Sequence, residues 1–200
     1  MKSRLPTDPK SVFINAPFDS AYEPLFVTLV GLIVFFDYTP HCVLEVRETG
    51  EGRLQRIYDL MRACRISLHD MSRIGAPARF NMPFELGLAC SLKLADPTEY
   101  EILVLDSKPY RMDRRLSDYK GRDPFIHRGT TEGMIAALLD AFQSHHLDVS
   151  TLRKAARDLR TWAQTAKRLS RTTTVFHPHL FLRLVKAAVK IAADHGFLAP

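Results

Sequence analysis

The sequence predicts an α/β protein: an open parallel sheet of four to five strands with helices on both faces, followed by a C-terminal helical hairpin. Three observations lead there. Over the first 150 residues, short apolar runs of strand length alternate with longer segments of helical period. The strand runs are apolar at both odd and even positions, as a sheet covered on both faces requires. After residue 150 only helical periodicity remains.

In chain order, Ser11–Asn15 (SVFIN) reads as a buried strand, and the loop Ala16-Pro17-Phe18-Asp19-Ser20 breaks it. Tyr22–Phe36 is too long for a strand, is apolar nearly all round, and has Pro24 where a helix start tolerates it. Cys42–Val46 reads as a second strand. Glu51–Cys64 has helical spacing through Leu54, Ile57, Tyr58, Leu60, Met61 and Cys64. Arg65–Asp70 is a third strand and Ile102–Asp106 a fourth, each ending in an acid, with a helix from Met82 to Leu94 between them. Arg111–Tyr119 reads as a short helix, Phe125–His127 as a weak strand, and Thr130–His146 as a helix. Right-handed crossovers place every helix on the sheet faces.

The tail steps Leu152, Ala155, Leu159, Trp162, Ala166, Leu169, an amphipathic or coiled-coil stripe. A second helix runs from Pro178 to Gly196, after a linker at Arg171–His177. The expected division is an α/β domain over 1–149 and a basic hairpin over 150–200, which docks on the first domain or dimerises.

Composition narrows the class. With 46% hydrophobic and 25% charged residues, wholesale disorder is excluded. The longest apolar run, Leu25–Phe36, is 12 residues interrupted by Thr28, whereas a bilayer needs about 20. No secretory signal is expected at the N-terminus. Cys42, Cys64 and Cys90 stand far apart and suit a reducing compartment, so the expected location is the cytoplasm. Formal net charge is +6, unevenly spread: residues 1–150 hold 18 Lys+Arg against 20 Asp+Glu, and residues 151–200 hold 10 against 2. The basic excess therefore sits in the tail, which suggests an acidic partner there, or simply a solvated helix face.

Ligands of such sheets bind outside the carboxyl ends of the strands. The residues following each strand are thus the candidates: Asn15, Pro17, Phe18 and Asp19 after the first, Arg47 after the second, Asp70 at the end of the third, Asp106 at the end of the fourth. Past Asp70 a polar loop leads to a helix opening near Asn81, with Glu85 expected in its first turn. On spacing alone, Asn81 is a helix cap and Glu85 a favourable charge on the helix dipole. No Gly-x-Gly-x-x-Gly, Walker loop or Gly-x-Ser-x-Gly elbow is present, which argues against a dehydrogenase, a P-loop NTPase and a serine hydrolase. His145-His146 and His177-Pro-His179 lack clustered partners, so no metal is expected.

Phe13-Ile-Asn-Ala-Pro-Phe18 after the first strand, Asp70 ending the third, and Asn81-Met-Pro-Phe-Glu-Leu-Gly-Leu-Ala89 opening the next helix carry a resemblance. The pattern resembles the nucleoside 2-deoxyribosyltransferase family and its TIR-like relatives, with their flavodoxin-like sheet, over residues 11–145. Pro83 and the arginine-rich loop Met71–Phe80 depart from that pattern and leave the substrate open. The chain also resembles a bacterial group sharing Phe13–Asp19 and Arg79–Leu88, which implies no activity.

The resemblance implies cleavage or transfer at an N-glycosidic bond. Glu85 would attack the anomeric carbon or stabilise an oxocarbenium-like transition state. Asp70 would hold ribose hydroxyls or assist proton transfer. Asn15, Pro17, Phe18 and Asp19 would line the pocket, with Phe18 stacking on a base, and Asn81 would orient Glu85 or touch the sugar. Arg47, Arg73 and Arg79 favour a phosphorylated ligand over a free nucleoside. Nicotinamide leaves NAD as an already cationic base, so one carboxylate suffices there, whereas a neutral nucleoside needs a second acid. NAD or another nucleotide is accordingly the candidate substrate, and no separate cofactor is expected. The family implies activity on assembly, so a homo-oligomer or partner protein through 150–200 is expected. The alternatives are a deoxyribosyltransferase, a non-catalytic nucleotide sensor with the same pocket, and, ranked last, nucleic-acid binding by the tail. No membrane partner is expected.

Overall fold

The computed structural model describes residues 8–46, 52–73, 80–119 and 123–198. Its strands are β1 (Asp8–Asn15), β2 (Thr39–Cys42), β3 (Cys64–Asp70), β4 (Glu101–Asp106) and β5 (Phe125–Ile126). All pair in parallel, in the order β2-β1-β3-β4-β5. This is an open five-stranded parallel sheet in a flavodoxin-like arrangement, with additional C-terminal helices. The reversal in strand order falls between β1 and β3, where such sheets open a crevice at their carboxyl ends.

The central strands β1, β3 and β4 face two cores. Val12 and Ile14 of β1 and Leu103 and Leu105 of β4 face one side. Phe13, Ile102 and Val104 face the other. The first side is covered by α1 (Glu23–Phe35) and α5 (Thr131–Ala141), the second by α2 (Arg53–Ala63) and α3 (Asn81–Ala95). A short α4 (Arg111–Arg115) and a 3-10 turn at Ser117–Tyr119 follow β4. No helix among the described residues is long and apolar enough to cross a membrane.

The second strand departs from expectation. It occupies Thr39–Cys42, and Val43–Glu45 forms a 3-10 turn in place of the expected strand at Cys42–Val46. The reason is edge position. Pro40 cannot donate to a ladder, which argues against a central strand, but β2 pairs only with β1 and tolerates it. Glu45 then accepts the Cys42 N–H at 3.0 Å and sits 3.2 Å from His41, closing the chain into a turn.

The tail forms α6 (Val149–Leu169) and α7 (Pro178–Asp194), and both pack on α1. This explains why α1 is apolar all round: it lies between the sheet and the tail. Leu152, Ala155, Ala156 and Leu159 of α6 and Phe181, Leu184, Ala188 and Ala192 of α7 share its core. At Gly31 there is no room for a side chain: an added Cβ would fall 2.6 Å from Leu159 Cδ2. Polar groups fix the register. Glu23, buried in the first turn of α1, pairs with Lys167 and accepts the Val175 N–H at 3.0 Å.

Candidate functional site

Two groups of polar residues lie at the carboxyl edge of the sheet, and they differ in access to solvent. The first is sealed. Asp70, at the end of β3, accepts the Tyr22 hydroxyl and the Ser72 N–H, the latter at 2.8 Å. Its Oδ2 is 3.0 Å from His127 Nε2. The Gly129 N–H donates to His127 Nδ1 at 3.0 Å, so the ring proton sits on Nε2 and points at Asp70 and at Ser72 Oγ, 2.8 Å away. Burial alone raises the Asp70 carboxyl, but its bonds to His127, Ser72 and Tyr22 outweigh that and hold it below the usual range. The cluster ties β3 to α1 and to the segment after β5. Gly133 completes it, because a Cβ there would meet the His127 carbonyl oxygen at 2.0 Å.

A second sealed pair lies beneath β1. Asn15 donates its side-chain amide to the Met82 carbonyl at 3.0 Å and approaches His69 Nδ1 at 3.0 Å. His69 Nε2 in turn meets Ser67. Burial pushes the His69 imidazole down to about 3, so it stays neutral. Asn15 thus joins the end of β1 to the start of α3.

The second group is open. A cavity of about 460 Å³ is bounded by Phe18 from the loop after β1, Val43 after β2, and Arg53, Leu54 and Ile57 on α2. Asn81, Phe84 and Glu85 on α3 complete its wall. Glu85 is 8% exposed. Burial raises its carboxyl to about 7, against the opposing pull of the Arg53 guanidinium. Phe84, 53% exposed, stands at the mouth one residue from Glu85. Phe18 forms part of the wall while its ring also meets Phe26 of α1 at 5.6 Å and Phe176 of the α6–α7 linker at 5.2 Å. A carboxyl group near neutrality between aromatic walls can take or give a proton, or meet a developing positive charge.

The structure therefore divides the sequence candidates. Glu85, Asn81 and Phe18 meet in the cavity. Asp70, Asn15 and the buried Pro17 lie outside its wall. Asp70 is sealed because Tyr22 and His127 close over it, so its carboxylate is turned to those partners and not to the cavity. Asp19 accepts the Tyr22 N–H at 2.9 Å and pairs with Arg73 at 3.1 Å, bracing the loop after β1. Arg47 and Arg79 lie outside the described residues. Asn81 is the first residue of α3 and Phe80 the cap position, so Asn81 does not cap the helix. Glu85 consequently falls in the second turn of α3, not the first. Arg53, Phe84, Tyr22 and His127 were not legible as site residues. Arg53 alone carried a signal, as a cation opening the helix that follows an edge strand. No group of three or more His, Cys, Asp or Glu among the described residues could hold a metal ion. No family model and no curated protein matches the chain.

Proposed function

We propose that this protein binds a nucleotide in the Glu85 cavity and cleaves or transfers its N-glycosidic bond, with NAD as the preferred substrate. The observation that carries this reading is a single desolvated carboxyl, raised to about 7, in a cavity walled by Phe18 and Phe84. Among the described residues, Glu85 is the one carboxylate in that wall. Asp70 is committed to its buried partners, so a second acid to protonate a departing neutral base is lacking there. A cationic leaving base needs none. A desolvated carboxylate also favours a cation strongly: the entering pyridinium and the developing oxocarbenium both return Glu85 to its ionised form. Asn81, four residues before Glu85 on α3, takes the sugar hydroxyls, and Phe18 and Phe84 hold the flat base. The likeness of Asn81–Ala89 to the deoxyribosyltransferase and TIR-like helix supports the same assignment of Glu85. The three cysteines are free, which suits a cytoplasmic setting.

The test is a chromatographic time course with NAD, and separately with a deoxynucleoside plus an acceptor base, run beside Glu85→Gln. Nicotinamide release that vanishes in the variant is the expected result. Base exchange would instead make the protein a deoxyribosyltransferase. Saturable nucleotide binding without turnover would overturn the enzymatic reading.

One contact favours a sensory role as the second reading. Phe18 belongs at once to the cavity wall and to the aromatic cluster with Phe176, so a bound base bears on the linker between α6 and α7. In that reading occupancy of the cavity is passed to the basic tail, through which the protein meets a second copy or a partner protein.

A further inference from the structure

A second cavity, of about 500 Å³, lies beyond the carboxyl end of β4 and is lined by Lys108, Pro109, Tyr110, Arg111, Arg114 and Arg115. It shares no lining residue with the Glu85 cavity. Four of its six lining residues are cations. The nearest acid at the strand end, Asp106, is wholly buried and turned inward. It pairs with Arg111 and accepts the Lys108 N–H at 3.1 Å. Arg111 is also held by Ser107 Oγ at 3.2 Å and the Met71 carbonyl at 3.4 Å, so its guanidinium is a fixed part of the wall. Asp106 offsets Arg111, and Lys108 and Arg114 keep the wall positive among the described residues.

Tyr110 adds an aromatic component. Its backbone is left-handed, at φ 58° and ψ 7°. A non-glycine residue holds that conformation at an energetic cost. Its side chain gains no burial in return: Tyr110 is 71% exposed. A large ring held in an unfavourable backbone state, unburied, beside arginines, has the composition of a platform for a flat ring carrying a phosphate.

The geometry points to a nucleotide-binding site here: the phosphate of a nucleoside monophosphate sits among Lys108, Arg111, Arg114 and Arg115, and its base stacks on Tyr110. Arginine forks match phosphate oxygens bidentately, and stacking on one aromatic face tolerates any base. The site is therefore selective for phosphate and indifferent to base identity.

Amide-resolved NMR titrations of the full chain test this, using adenosine monophosphate, adenosine and inorganic phosphate as probes. Signals of residues 108–115 shift saturably with the monophosphate and not with adenosine. Inorganic phosphate shifts the same signals with affinity lower by on the order of tenfold, the share owed to stacking. Arg114→Gln with Arg115→Gln, both at exposed positions, weakens the monophosphate by tenfold or more. Tyr110→Gly, which suits the backbone conformation, brings the monophosphate down to the affinity of inorganic phosphate. The remaining signals of each spectrum report that the fold is intact, and signals at Asn81–Phe84 separate this site from the Glu85 cavity. Unmoved signals at 108–115, shifts undiminished in the double variant, or a Tyr110→Gly protein that binds the monophosphate as before would overturn the assignment.

Discussion

His127 Nε2 lies 3.0 Å from Asp70 Oδ2, and neither side chain reaches solvent. The pair joins the end of β3 to the segment after β5, two strands apart in the sheet. Removing one partner leaves the other buried without compensation. Asp70→Asn is expected to cost about 3 kcal/mol of stability near neutral pH, read by urea denaturation. The folded protein holds Asp70 below its usual range, so its contribution is present above the unfolded carboxyl range and is lost as pH falls through the folded value. The gap between wild type and variant should therefore close in acid. A gap that does not narrow there would show that Asp70 acts through packing alone.

Glu85 titrates the other way. Its folded carboxyl is raised from 4.5 to about 7. An acid raised on folding costs stability above its unfolded value, and that cost grows until pH passes the folded one. Glu85→Gln should thus stabilise the fold by about 3 kcal/mol near pH 8 and by almost nothing near pH 4. Under the proposed function the same substitution should abolish turnover. Equal thermal midpoints for the two proteins near pH 8 would refute a desolvated carboxyl at this position.

The pH–rate profile separates the two roles open to Glu85. As nucleophile or charge stabiliser it must be ionised, so kcat/KM rises through about 7 and then levels. As a general acid it must be protonated, and the rate falls through the same value. The rising limb is expected, since the proposed leaving base is cationic.

Glu23 anchors the tail. Glu23→Ala strips Lys167 of its carboxylate and frees the Val175 N–H, and about 3 kcal/mol of stability should be lost. Hydrogen exchange at Val175 should accelerate more than exchange in β1 or β3. A uniform acceleration would mean that the bond does not act locally.

Gly31→Ala addresses the apolar half of the same contact. Its new methyl would fall 2.6 Å from Leu159 Cδ2, so that fully buried side chain must shift within the core. A loss of about 1–3 kcal/mol is expected by calorimetry.

Period and composition made most of the fold legible. The apolar runs at Val12–Ile14 and Ile102–Leu105, and the pair Ile66 and Leu68 about the buried Ser67, sit where strands form, because a sheet covered on both faces asks for mostly apolar chain. β2 was expected a few residues too late, at Cys42–Val46 instead of Thr39–Cys42. Leu44 and Val46 have strand propensity, but Glu45 turns back on the Cys42 N–H, and Pro40 is acceptable only because the strand is an edge. At the site, Glu85 and Asn81 were legible because they share one helix with a recognisable pattern. The partners of Asp70, Tyr22 and His127, come from distant parts of the chain and leave no local signal. Spacing around Asp70 looks the same whether it opens to a ligand or closes on a histidine. Phe18 was read as pocket wall; it lines the cavity and also packs on Phe26 and Phe176.

The burial of α1 has a consequence during synthesis. Its apolar surface emerges from the ribosome early, whereas the helices that cover its outer side, α6 and α7, are made only after β5 and α5. At about 5–20 residues per second, that face waits several seconds without its cover. For that interval the nascent chain displays the kind of surface that chaperones bind.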